Sequence, residues 1–215
     1  NYYAQHAITQ EFSLQTIFGK GDKFYGLLES SAAAARESTK ALTDFLATPL
    51  SQRSLEKFKL ARQREKDLAA QISQELINTF VTALEREDIE ALSNVLYKIP
   101  KVIEKFAERH TLASQRLIDV DFVPRAKMLE QACEVLEEMV GQLRKGMNIE
   151  TSKALNDKMQ AIEAEADRQI LELYRESYLN ETDPMRYLIL KDHFELLEKA
   201  IDRCRDAGNV VHHII

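Results

Sequence analysis

Tryptophan is absent from this 215-residue chain, and cysteine (two), proline (four) and glycine (six) are scarce. Average usage would supply about fifteen glycines and about eleven prolines in this length. Tight turns draw on Gly, Pro, Asn and Asp for their backbone geometry, so a fold of many short strands is excluded and long helices with few connections are expected. Long apolar runs are missing too. The longest, Ala32 to Ala35 and Tyr187 to Leu190, are four residues each, far short of the roughly 20 a membrane-spanning helix needs. Asn1 to Gln10 has no basic start followed by an apolar stretch, so no secretory signal is read and a soluble, cytoplasmic protein is expected. Cys133 and Cys204 stand 71 residues apart with no CxxC, which implies neither a disulfide framework nor a zinc site. With a net charge of −6 the chain also lacks the basic balance of a nucleic-acid binder.

What the chain does carry is helical periodicity. Asp22 to Ala47 opens on a capping aspartate, places Phe24, Leu27, Leu28, Ala35, Leu42 and Phe45 at helical spacing, and stops at Thr48-Pro49. A second helix is predicted from Ser51 to about Thr82. A third runs from about Glu85 to His110, with Leu92, Leu96, Ile99, Ile103 and Phe106 on one stripe and Pro100 expected to kink or break it. After a connection over Asp119 to Pro124, a fourth helix contains Met128, Leu129, Ala132, Leu136, Met139 and Leu143, and a fifth spans about Ile149 to Leu179. A sixth starts at Pro184 with Asp183 as its N-cap and reaches the end.

Three helices followed by three suggest a repeat, and one offset of 101 residues aligns all three pairs. It sets Leu28 over Leu129, Ala35 over Leu136, Leu42 over Leu143, Ile72 over Leu173, Ile89 over Leu190, Leu96 over Leu197 and Ile103 over Cys204. The expected architecture is an all-α six-helix bundle made of two three-helix repeats, 22–115 and 123–215, within one domain.

Charge is distributed unevenly between those halves. Residues 1–115 hold 15 basic and 15 acidic side chains, whereas residues 116–215 hold 14 and 20. On helix six, Glu198, Asp202 and Asp206 are spaced four apart and share a face; on helix five, Glu163 and Asp167 have the same spacing, with Glu165 on another face. Like charges at this spacing repel by roughly 0.2–0.5 kcal/mol per pair. If the two faces meet, five carboxylates converge, and either their pKa values rise or a cation is held. Oxygen-only donors suit hard ions. The competing reading is an ordinary solvated face in which Lys199, Arg203 and Arg205 pair with these carboxylates.

Four stretches in order then carry a resemblance: Phe18-Gly19-Lys20-Gly21-Asp22-Lys23-Phe24-Tyr25; Thr79-Phe80-Val81-Thr82 with Arg86-Glu87-Asp88-Ile89; Glu163-Ala164-Glu165-Ala166-Asp167-Arg168; and Leu197-Glu198 to Asp202-Arg203-Cys204 with Asp206 to Asn209. From Phe18 onward the chain resembles the PhoU-related phosphate transport regulators, the accessory proteins of PiT-type phosphate permeases. The resemblance implies two three-helix repeats, no enzymatic reaction, a PiT-type permease as the membrane partner, and a metal site in each repeat. Carried over by position, the second-repeat site is Glu163, Asp167, Glu198, Asp202 and Asp206, for a divalent or trivalent ion such as iron, manganese, magnesium, calcium or zinc. A homo-oligomer is a further expectation.

The first repeat departs from that pattern. Positions 101 residues before the five carboxylates are Arg62, Lys66, Tyr97, Lys101 and Lys105, so no metal site is expected there. This basic face reads either as drifted, solvated charge or as a patch for an anion or an acidic partner. Other candidates are bland: His212 and His213 as a frayed terminus, His110 and His193 as surface or helix-capping residues, Cys204 as packing, and Gly19-Lys20-Gly21 as a flexible lead-in without phosphate-loop spacing. A carboxylate-bridged metal oxidase would need Glu-x-x-His motifs, which helices five and six lack. A metal-free helical adaptor is the remaining alternative.

Overall fold

The computed structural model describes the backbone of residues 2–146 and 148–214, and the side chains of 23–146 and 148–214. Its six α-helices are α1 Tyr2–Ala47, α2 Glu56–Asn78, α3 Arg86–Ala113, α4 Val123–Leu143, α5 Ile149–Asn180 and α6 Pro184–His213, with 3₁₀ turns at Leu50–Gln52 and Ser114–Arg116. No strand occurs among the described residues. No described helix is long and apolar enough to cross a membrane.

Several helix boundaries have an identifiable cause. Beyond Ala47 the chain meets Thr48-Pro49, where the proline ring disfavours helical backbone at the preceding residue. Arg53 then covers the orphan carbonyls of the last turn, its guanidinium donating to Leu46 O (3.0 Å) and Thr48 O (2.8 Å). The second helix accordingly starts at Glu56, five residues after the expected Ser51, with Ser54 Oγ accepting from Glu56 N at 3.2 Å. It stops at Asn78, before the expected Thr82, where Arg86 from the first turn of α3 donates to Leu76 O and to Thr79 O. The Thr79–Ile89 stretch that carried part of the resemblance is thus a helix-terminating device. At the end of α4, Gly146 takes φ 64°, the left-handed conformation that favours glycine. Asn148 Oδ1 accepts from Thr151 N (2.7 Å) to cap α5, and Asp183 Oδ1 accepts from Met185 N (2.9 Å) to cap α6, as expected for Asp183.

Two expectations need correction. The first helix does not open at Asp22: the helical backbone extends back to Tyr2 through Gly19-Lys20-Gly21. Each glycine costs only about 1 kcal/mol relative to alanine, and no proline precedes Asp22 to stop the helix. The side chains of 1–22, Asp22 included, lie outside the described residues. Nor does Pro100 break α3, which continues to Ala113 with Pro100 buried. Burial of the Leu92-Leu96-Ile99-Ile103-Phe106 stripe on either side offsets the one hydrogen bond the proline removes.

The helices share one core. Leu28, Ala35, Leu42, Ile72, Ile89, Leu96 and Ile103 are buried in it together with their partners at +101, Leu129, Leu136, Leu143, Leu173, Leu190, Leu197 and Cys204. The repeats meet along α1 against α4 and α3 against α6. Polar contacts on the α1–α4 seam follow the same arithmetic. Arg36 pairs with Glu137, its own equivalent, at 2.9 Å. Arg144 Nε donates to Glu29 (2.9 Å), and Thr43 Oγ1 donates to Glu130 (3.1 Å); adding 101 to Glu29 and Thr43 gives Glu130 and Arg144, so the two contacts exchange. That exchange is what an approximate two-fold axis through Arg36 and Glu137 produces.

Candidate metal centre and its counterpart in the first repeat

Helices α5 and α6 run antiparallel through the turn at Asn180–Pro184 and pack along their length. Four-residue spacing aims Glu163 and Asp167 from α5, and Glu198, Asp202 and Asp206 from α6, at one seam, while Leu173, Leu197, Cys204 and Ala207 hold the inner faces in the core. The five carboxylates divide into two groups there.

Asp167, Glu198 and Asp202 form the first group. Burial pushes the Asp167 carboxyl above its usual range, and the neighbouring Asp202 charge pushes it further, against the pull of Arg205. The Glu198 carboxyl is raised by burial as well, then by Asp167, Asp202 and Glu195. Glu163 and Asp206 form the second, gathered by Arg205. Its guanidinium donates to Glu163 across the helix pair, and Nη2 stands 3.6 Å from both Asp202 Oδ1 and Asp206 Oδ1. Arg203 adds a 3.5 Å ion pair to Asp206. Of the three cations that could neutralise this face, Arg203 and Arg205 pair with it and Lys199 stays exposed without a carboxylate partner among the described residues. Oxygen chemistry and mutual repulsion here suit a hard cation, yet no three Asp, Glu, His or Cys side chains among the described residues are close enough together to hold one ion. Arg205 stands among the oxygens that would have to close.

At the equivalent place in the first repeat, the Arg62 guanidinium stacks on the Tyr97 ring 4.5 Å from its centroid, and Nη2 donates to Tyr97 Oη at 3.1 Å. Arg62 Nε lies 3.3 Å from Glu104 Oε2. Lys66, Lys101 and Lys105 are exposed on the flanking turns.

Three features were not legible as a site. Glu65, one turn from Arg62, is 1% exposed; Ser31 donates to its Oε1, and Oε2 has no partner. Burial raises this carboxyl to about 8 against the opposing pull of Ser31, Arg64 and Arg62. His110 and His193, expected at the surface or as caps, are both buried, with ring centroids 5.8 Å apart among Phe45, Phe106 and Phe122. Arg53 Nη1 lies 3.3 Å from His110 Nδ1, so that nitrogen accepts and the ring is neutral. Burial and the Arg53 charge take His110 down to about 4. They are inside because α3 and α6 cross at these positions, each covering the other's half-polar stripe. Cys133 and Cys204 meet as well: both are buried free thiols, with their Sγ atoms 3.5 Å apart between α4 and α6. His212 is no frayed end either, since α6 reaches His213 and His212 Nδ1 bonds Ser152 Oγ at 2.6 Å.

No protein-family profile matches the chain. Among curated proteins, the UPF0111 protein YkaA of Bacillus subtilis (strain 168) is 24% identical over 206 residues, covering 91% of this chain and 96% of its own length. Two crystal structures from Shewanella oneidensis MR-1, one of a PhoU-like protein and one described as a PhoU-like phosphate regulatory protein, superpose on it with TM-scores of 0.77. Their identities are 15% and 16%, over 89% of this chain and 98% of theirs. The chain has the fold of the PhoU-like proteins, with two three-helix repeats in one bundle.

Proposed function

We propose that this chain is a non-catalytic regulator of inorganic phosphate transport that acts from the cytoplasm on a PiT-type phosphate permease. The observation that carries this reading is the PhoU-like fold over nine-tenths of the chain, together with a carboxylate seam confined to residues 123–215. Within the reading, Glu163, Asp167, Glu198, Asp202 and Asp206 take a hard metal ion, residues 22–115 and 123–215 are the two repeats, and a second copy of the chain is a further partner. Binding of the ion competes with Arg205 for the same oxygens, so a half-neutralised resting face becomes a metal-bound docking face. Purified protein applied to membranes with and without chelator tests this: a phosphate permease is retained, and chelation releases it. Retention of no permease under either condition refutes the partner. For the site, metal content should fall in Asp167→Ala plus Asp202→Ala; content that is negligible or unchanged refutes it.

A second reading has its own observation. Arg203 and Arg205 already neutralise half of the seam, which is what a metal-free helical adaptor would keep. The metal measurement decides between the two.

A further inference from the structure

The two repeats place the same five positions at the same helix seam, and the charge there is inverted. Glu163, Asp167, Glu198, Asp202 and Asp206 in repeat two stand against Arg62, Lys66, Tyr97, Lys101 and Lys105 in repeat one. The α2–α3 seam gathers these side chains as α5–α6 gathers the acids: Arg62 lies on the Tyr97 ring, and its hydrogen bond and charge, followed by the charges of Lys66 and Lys101, pull the Tyr97 hydroxyl below its ordinary pKa. The balance between charge and counter-charge nevertheless differs. On α5–α6 an arginine bridges the carboxylates. On α2–α3, Glu104 lies 3.3 Å from Arg62 Nε and also feels the charges of Lys66 and Lys59, while Lys66, Lys101 and Lys105 form no ion pair among the described residues. Arg62 is nine-tenths buried, and its Nη1 donor has no acceptor. Buried donors are almost always paired, so this one marks a place where an acceptor is missing.

From this we infer that the α2–α3 face of the first repeat is an oxyanion site, in which Arg62, the Tyr97 hydroxyl, Lys66 and Lys101 receive a phosphate group, with Lys105 at its edge. A tetrahedral dianion matches the requirement in two ways. It supplies several acceptor oxygens to donors spread over two helices, and it adds negative charge where Arg62, Lys66 and Lys101 outnumber the nearby Glu104. Free phosphate and a phosphate monoester offer the same group, and Glu104, 3.3 Å from Arg62 Nε, with Glu108 beside it disfavours a large polyanion lying flat across the face. The site stands apart from the carboxylate seam and needs neither metal nor permease, so its failure and theirs are separable.

Calorimetry on the 215-residue chain in the presence of chelator tests it, with inorganic phosphate, a phosphomonoester and chloride titrated at matched ionic strength. Saturable heat with inorganic phosphate or the monoester, absent with chloride, is expected, and which of the two binds identifies the source. Lys66→Ala plus Lys101→Ala, both at exposed positions outside the core, should weaken binding at least tenfold, and Tyr97→Phe should weaken it less. Absence of saturable heat at millimolar concentrations of either phosphate species overturns the site. So does binding that chloride reproduces, or affinity unchanged in the double variant.

Discussion

Glu65 offers the sharpest physical test of the first repeat. Its carboxyl is 1% exposed between α1 and α2 and is raised to about 8 by burial, while the unfolded chain leaves it near the ordinary 4.5. Between those values the native state binds more protons than the unfolded state, so stability falls as pH rises from about 4.5 to about 8, at up to about 1.4 kcal/mol per pH unit. From pH 5 to pH 8 the loss comes to about 3 kcal/mol. For a chain of this size that corresponds to a melting temperature lower by about 6–12 °C. Glu65→Gln keeps the shape and an acceptor for the Ser31 hydroxyl but cannot ionise. Thermal or urea unfolding of both proteins from pH 5 to pH 9 should therefore show the variant gaining on the wild type by about 3 kcal/mol as pH rises to 8, then levelling off. A difference between the two that stays constant with pH would refute a neutral, buried Glu65.

Three further outcomes are expected. His110 works in the opposite direction: lowered to about 4, it leaves stability intact above pH 6.5 and removes about 3 kcal/mol as pH falls from 6.5 to 4. His110→Phe, placed among Phe45, Phe106 and Phe122, should flatten that acid limb in urea titrations. Arg205→Gln should free the Glu163, Asp202 and Asp206 oxygens and raise Mn²⁺ affinity at least tenfold by calorimetry; a weaker or unchanged affinity would show that Arg205 does not compete for them. Diamide should take two electrons and two protons from Cys133 and Cys204 to give one intramolecular disulfide, read as a mass two hydrogens lower, and Cys133→Ser or Cys204→Ser should abolish the change.

Much of this molecule is written in local periodicity. A helix face repeats every 3.6 residues whatever lies opposite it, so the six helices, the buried stripe from Leu92 to Phe106 and the 101-residue offset could all be read along the chain. The gathering of Asp167, Glu198 and Asp202 was legible for the same reason, because spacing places carboxylates on a face and a short α5–α6 turn brings the two faces together. Helix ends were read less well. Where α2 stops depends on Arg86 reaching back to Leu76 and Thr79, a contact between residues on different helices.

What only the tertiary structure decided is which half-polar faces are covered and by what. His110 and His193 look like surface residues in any window of the chain; the crossing of α3 on α6 buries them together. Cys133 and Cys204 are 71 residues apart in sequence and 3.5 Å apart in space. Glu65 sits at a position whose counterpart, Ala166, is an ordinary core residue, and it is buried because α1 supplies Ser31 opposite it. Arg205 falls on the helix face that lets it bridge Glu163, Asp202 and Asp206, which offsets part of the repulsion along the row of carboxylates. Periodicity determines direction from a helix axis, whereas burial, pairing and proton affinity depend on the distance to another helix, and that distance exists only once the bundle has closed.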